Sequence, residues 1–161
     1  MEEARIERAD VADAGEILTV QRAAYVSEAQ LHGDPFLAPL VESLDQIRTM
    51  IAESLVLKAS VGSRIVGAVR GRFNERTCLV GRLVVAPDLQ GRGIGEALMR
   101  ALEADAARLA DACVLFTGHL SETDLRLYRR LGYAETHRER VAEHLTLVHM
   151  RKALVVASLG E

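Results

Sequence analysis

Hydrophobic positions along the chain change period several times, and each change marks a change of element. ARIERA (residues 4–9) alternates weakly, as a first strand would. Asp10 then stands as the N-cap of a helix running to about residue 28, with Ile17, Leu18, Ala24 and Tyr25 at helical spacing. LHGDPFLAPL (31–40) carries a glycine and two prolines and predicts an irregular segment. SLDQ (43–46) is a capping box, and Leu44, Ile47 and Ile51 give a second helix its apolar stripe. From residue 55 the period becomes extended. LVLKAS (55–60), RIVGAVRGRF (64–73) and TCLVGRLVV (77–85) are short, β-branched and separated by the turns VGS and NER, so they predict an antiparallel meander. A helix over about 91–109 follows, with Ile94, Ala97, Leu98, Ala101 and Leu102 on one side. CVLFT (113–117) reads as a buried strand. Ser121 with Asp124 opens another helix through Leu131, and Gly132 ends it. YAETHRE and HLTLVHM close the chain as two strands, the last with Leu145 and Leu147 on one face. The resulting order is βααβββαβαββ. The strand–helix–strand unit around 79–117 demands a parallel crossover, hence a mixed sheet with helices on both sides.

Composition narrows the class. The 161 residues fit one domain over 1–161, large enough to bury a core without disulfide or metal staples. With 49% apolar residues, 27% charged and a net charge of −3, the chain is not a disordered tail. The same figures give no support to a polybasic surface for nucleic acid or membrane. Arginine clusters at 126, 129 and 130 and at 138 and 140 read as solvated faces. Cys78 and Cys113 lie inside apolar runs without metal spacing and read as buried thiols, which suits a reducing cytosol. MEEARIERAD lacks a signal-peptide core and no apolar run approaches a membrane span, so the expectation is a cytoplasmic protein.

The chemistry concentrates in LVVAPDLQGRGIGEALM (83–99). Three glycines within five positions are a poor way to open a helix on propensity alone. A helix N-terminus carries unsatisfied N–H groups and a partial positive charge, and glycine lets a phosphate reach them. A nucleotide-binding Walker loop needs Lys and Ser/Thr after its last glycine, whereas Glu96 and Ala97 follow Gly95. A dinucleotide fingerprint needs a glycine at the position of Glu96 and a strand near the start of the chain. A third pattern, Gln/Arg-x-x-Gly-x-Gly/Ala, fits QGRGIG (90–95) at every fixed position. Here the sequence resembles the GNAT superfamily of acyl-CoA-dependent N-acetyltransferases. The resemblance covers nearly the whole chain and includes LRLYRRLGY (125–133).

The resemblance implies an α/β (α+β) fold with a mixed, mostly antiparallel sheet of about seven strands, helices on both faces and a splayed central parallel pair. It implies acetyl-CoA as cosubstrate, without a metal. The pantetheine arm would run along the backbone of Leu83, Val84 and Val85, and the pyrophosphate would sit on Gln90, Gly91, Arg92, Gly93, Ile94 and Gly95. Ser121 stands where the family often has a cofactor-contacting asparagine. Tyr128 falls at the family's general-acid position, where a phenol returns a proton to the departing CoA thiolate. Tyr133 matches a packing aromatic. The glutamate base that some members carry on the long central strand is absent, since this strand offers Leu79, Gly81 and Arg82.

The acceptor is expected to be a primary amine, on a small molecule or a peptide, met by the loop-rich stretch from Tyr25 to Leu40. Glu28 and Asp34 are candidates to hold a cationic amine and Phe36 to line its pocket. Deprotonation falls to ordered water, Glu28, Asp34 or a histidine. His119, His137, His144 and His149 read as ordinary strand or loop residues. No nucleic-acid or membrane partner is expected, and a homodimer is compatible with this reading. The alternative is a GNAT-fold acyl-CoA-binding or regulatory module without efficient transfer.

Overall fold

A computed structural model describes residues 3–155. One seven-stranded sheet, in the order β1-β2-β3-β4-β5-β7-β6, organises the chain. Its strands are β1 (Arg5–Arg8), β2 (Leu55–Val61), β3 (Arg64–Asn74), β4 (Thr77–Val85), β5 (Ala112–Gly118), β6 (Ala134–Ala142) and β7 (Leu145–Ala153). Every neighbouring pair is antiparallel except β4–β5. The helices are α1 (Ala14–His32), α2 (Ala38–Val41), α3 (Leu44–Glu53), α4 (Ile94–Ala106) and α5 (Glu122–Arg130). Helices α4 and α5 bury one face of the sheet through Leu98, Leu102, Leu125, Cys78, Cys113 and Val148. On the other face α1 and α3 pack Ile17, Ile47 and Ile51 onto Val56, Ala68 and Val84.

Four local expectations need correction. Asp10 does form a capping box, with Asp13, but it caps a short 3₁₀ turn (Val11–Asp13) that leads into α1. Helix α1 runs on to His32 and stops where Gly33 turns left-handed at φ 63°. The proline-rich stretch contains α2, because Pro39 sits in a first turn whose N–H groups need no helical partner. Buried Gln21 anchors that turn by donating to the Pro39 carbonyl at 2.9 Å. Ser121 precedes α5 but makes no side-chain cap; its hydroxyl goes to Glu28 instead. On β7, Leu145 and Leu147 share a face as expected and are half-buried, and the core side is Val148 and Met150.

Strands β4 and β5 pair at only three positions, Thr77–Ala112, Cys78–Cys113 and Leu79–Val114. Beyond them β4 continues along β3 to Val85, and β5 continues along β7 to Gly118. The two strands therefore part in mid-sheet. On β4 the register with β3 slips between Ala68–Val84 and Arg70–Gly81, so Arg82 and Leu83 together oppose Val69. Arg82 adopts φ 53°, a left-handed conformation that costs a non-glycine residue roughly 1–2 kcal/mol. This bulge reverses the alternation. Cys78 and Val80 face the α4 side before it, and Leu83 and Val85 do so after it.

The far end of α1 is fastened to the β5–α5 connection. His32 is buried, and its Nε2 accepts the Leu120 N–H at 3.3 Å. The neutral ring therefore carries its proton on Nδ1, 3.1 Å from the Glu28 carbonyl that accepts it. Gly118 makes room for this ring, since a Cβ there would lie 2.3 Å from Nε2. Gly118→Ala should therefore destabilise the protein by about 1–3 kcal/mol, as overpacking does. Adding His32→Ala should remove the clash, so the double variant should melt no lower than His32→Ala alone. Additive losses in melting temperature would refute this contact.

Candidate active site

Where β4 and β5 part, β4 has a partner on its β3 side only, and among the described residues its other edge over 80–85 is left without a strand. An extended ligand can pair with such an edge through the main chain alone. That suits Leu83 and Val85, whose side chains are otherwise engaged. Val84 is buried against α1, and Leu83 and Val85 pack on the α4 side. The edge leads through Pro87–Leu89, a 3₁₀ turn tied to the start of β3 by a two-bonded Arg64–Asp88 ion pair at 2.8 and 2.9 Å.

The loop that follows opens α4. Gly91 and Gly93 take φ values of 79° and 83°, and no atom lies within 4 Å of where their Cβ atoms would be. The concave side of the loop is thus bare backbone at a helix N-terminus, the arrangement that receives phosphate. Gly95 differs. Its conformation is helical, and a Cβ would make ordinary contacts of 3.7–3.8 Å with Leu127, Leu83 and Val85, so close packing accounts for its size. Gln90 turns back to donate to the Val85 carbonyl at 3.2 Å and so shapes the loop. Ile94 is a core residue that offers only its backbone. Arg92 is exposed and within electrostatic reach of Asp88. Bare glycines, a free strand edge and a helix start form one continuous path, which fits a pyrophosphate-bearing ligand with an extended arm.

Beyond the parted strands stand groups from α1, β4 and α5. Tyr128 is buried, its ring edge-on to Tyr133 at 5.9 Å. Its hydroxyl has no hydrogen-bond partner among the described residues, yet no fully buried side-chain polar atom among them is left unpartnered, so the hydroxyl is not fully enclosed. Burial, with Asp124, Tyr25 and Glu28 nearby, pushes its pKa well above 10. Tyr25, half-buried on α1, is pushed to about 12 by burial, against the pull of Arg82. Asp124, one turn before Tyr128, is raised to about 6 by burial and then by Glu28. Glu28 accepts the Ser121 hydroxyl and lies 3.7 Å from His32 Nδ1.

Asp124 is the group that sequence reasoning missed. Its local pattern is that of half a capping box, although its i, i+4 spacing from Tyr128 places both on one face of α5. Tyr25, Glu28, Ser121 and Tyr128 do come together. Asp34 and Phe36 do not join them. Asp34 receives the Phe36 N–H at 2.9 Å and pairs with His144 Nε2 at 2.9 Å on the β6–β7 hairpin. Phe36 is 77% exposed. Tyr133 packs as expected and donates to Glu103 at 2.9 Å.

On the α1–α3 face, a groove of about 1010 Å³ spans the same parted strands, from Leu79–Arg82 on β4 to Val114–Phe116 on β5. Glu42 organises its near wall, accepting two bonds from Arg70 at 2.8 and 3.0 Å, one from Gln21 at 3.0 Å and one from Arg82 at 3.4 Å. His149 stacks on His137 at 4.3 Å and meets Phe116 edge-on on the far wall. Among the described residues, no group of three or more acidic, histidine or cysteine side chains is placed to hold a metal, and no helix is long and apolar enough to cross a membrane.

Known proteins share this fold. Solved structures superpose over almost the full chain. They include the ribosomal-protein-S18-alanine N-acetyltransferase of Escherichia coli, at TM-score 0.80 and 14% identity over 98% of each chain. A phosphinothricin acetyltransferase from Sinorhizobium meliloti, solved with acetyl-CoA, gives 0.76 and 17% over 98% of this chain and 95% of its own. The PaiA N-acetyltransferase of Thermoplasma acidophilum, in complex with coenzyme A, gives 0.73 and 15% over 91% and 97%. Identities this low show a shared fold. The family model described as an acetyltransferase (GNAT) domain matches residues 23–154, and the chain belongs to the GNAT family of acetyltransferases.

Proposed function

We propose that the protein transfers an acetyl group from acetyl-CoA to a primary amine, by direct attack in the opening between β4 and β5. The observation that carries this reading is the path from the Gly91–Gly93 loop along the free edge of β4 to Arg82, which lies within electrostatic reach of Tyr25, itself near Tyr128 and Asp124. Bound acetyl-CoA would supply the acetyl group as an activated thioester. Backbone groups of Leu83 and Val85 would hold its arm, since those of Val84 are turned to Ala68 on β3, and N–H groups of residues 91–95 would hold its phosphates.

The chain's own groups then divide the proton work. The amine must lose a proton, and the departing sulfur must gain one. Asp124 takes up the amine's proton. A carboxylate with a pKa of about 6 is largely ionised at neutral pH and is a better base than an ordinary one. Tyr128 gives the other proton. It holds that proton firmly, because burial and the nearby carboxylates keep the phenol neutral far past pH 10. Its assistance is thus a hydrogen bond that completes as charge builds on sulfur. Glu28, held by Ser121, supports the raised Asp124 pKa. The binding-only alternative drew its appeal from the lack of a carboxylate on β4; α1 and α5 supply carboxylates instead.

Tyr128→Phe should lower kcat about 10²-fold and leave acetyl-CoA affinity nearly unchanged, because the hydroxyl acts only as charge develops. Stopped-flow turnover with an amine panel, calorimetry and a melting curve on this one variant test it. Near-normal turnover would remove Tyr128 from the mechanism.

The Asp124 assignment predicts a rate that falls as pH drops through about 6, with no loss from Tyr128 on the alkaline side below pH 10. Asp124→Asn should abolish most activity and the acid limb. Its stability effect runs the other way. The folded pKa lies above the free value of 3.8, so the group's contribution is fully present below that value and is lost as pH rises through 6. Asp124→Asn should therefore raise the melting temperature more at pH 8 than at pH 5. A less stable, active variant would make Asp124 structural.

A further inference from the structure

The groove on the α1–α3 face holds two arginines that no carboxylate engages. Arg70 and Arg82 both spend their charge on Glu42. Asp45 at the rim pairs with Arg48 at 3.0 Å. Among the described residues, Arg72 and Arg151 have neither an ion pair nor a hydrogen bond through their side chains.

Their placement follows from the register. Arg72 on β3 is opposite Leu79, Leu79 pairs with Val114, and Val114 with Arg151 on β7. The four residues form one row across four strands, with two apolar side chains in the middle and an arginine at each end. At about 4.8 Å per strand the two arginine Cα atoms are about 14 Å apart, a span that two long side chains can close from either side. This basic, apolar-floored groove lies on a chain whose net charge is −3, so the local sign is opposite to the whole. Its volume of about 1010 Å³ is at the upper end of small-ligand sites.

The row also lies at a definite distance from the chemistry. Leu79–Val114 is the last paired position, and the strands part from there toward Gly81 and Arg82. Two residues of strand advance about 7 Å. A ligand anchored at the row therefore has its far end in the opening.

We propose that the acceptor is a small amine carrying a carboxylate separated from the amino group by several apolar atoms. The carboxylate sits between Arg72 and Arg151, the apolar body lies over Leu79, Val114 and Phe116, and the amine reaches the opening between β4 and β5. This rests on the acetyl-transfer reading above and adds the class of its substrate.

The test compares 6-aminohexanoate with its neutral isostere, 6-aminohexanamide, in wild type and in the Arg72→Ala/Arg151→Ala double variant. Alongside it, calorimetry titrates sodium adipate into the CoA-saturated proteins at matched ionic strength. Wild type should favour the carboxylate over the amide about tenfold to a hundredfold in kcat/KM, the range for a charged hydrogen-bonding partner. In the double variant that ratio should fall toward one, and adipate affinity should fall at least tenfold. Equal use of acid and amide by wild type would overturn the proposal while leaving acetyl transfer intact. If neither amine is acetylated but adipate binding is still lost in the double variant, the carboxylate site stands and the transfer reading falls. Adipate binding that is absent, or indifferent to both arginines, would overturn the proposal.

Discussion

The structure turns on a sheet that stops being a sheet halfway along its central pair. Strands β4 and β5 share three paired positions and then separate, which leaves main-chain donors and acceptors of β4 without a neighbour. Unpaired backbone groups inside a protein are costly, so such a gap persists only if surrounding structure prevents its closure. Two devices do so here. At one, the bulge at Arg82 redirects β4, and the Glu42 hub with Arg70, Arg82 and Gln21 holds it there. At the other, the Glu28–Ser121 and His32–Leu120 bonds fasten α1 to the connection leaving β5. The opening is thus built into the fold.

Those same devices frame the proposed chemistry. The bulge reverses which side chains face α4, so the post-bulge residues present apolar flanks toward the glycine loop while Gly81 and Arg82 line the opposite groove. Access to the opening is therefore two-sided, with the helix N-terminus on one face and the basic groove on the other. Tyr25 and Glu28 of α1 stand close to Asp124 and Tyr128 of α5. Packing these groups together has an electrostatic consequence. Burial and then Glu28 raise Asp124, and burial with both carboxylates keeps Tyr128 neutral.

Much of this was legible from residue order. The meander and the parallel crossover follow from periodicity and turn residues, and the glycine-rich opening of α4 from a motif in its required context. Features set by distant partners were not. Ser121 has the sequence of a cap, but its hydroxyl finds Glu28, 93 positions away. Asp34 looked open to an amine, but a turn and His144 from the far hairpin occupy its carboxylate. Asp124 was overlooked because local pattern explained it well enough, whereas its raised pKa depends on α1. The row from Arg72 to Arg151 is invisible without strand register. Gly118 is a milder case, since nothing local shows that a histidine from residue 32 fills the space beside it.

The parted strands are the centre of this account, and amide hydrogen exchange with and without saturating acetyl-CoA tests them most directly. Slowed exchange is expected at the β4 edge over 80–85 and at loop residues 91–96 alone, with β1 and β2 unchanged. Acetyl-CoA that binds while protecting some other part of the sheet, and leaves both of those segments as they were, would contradict it.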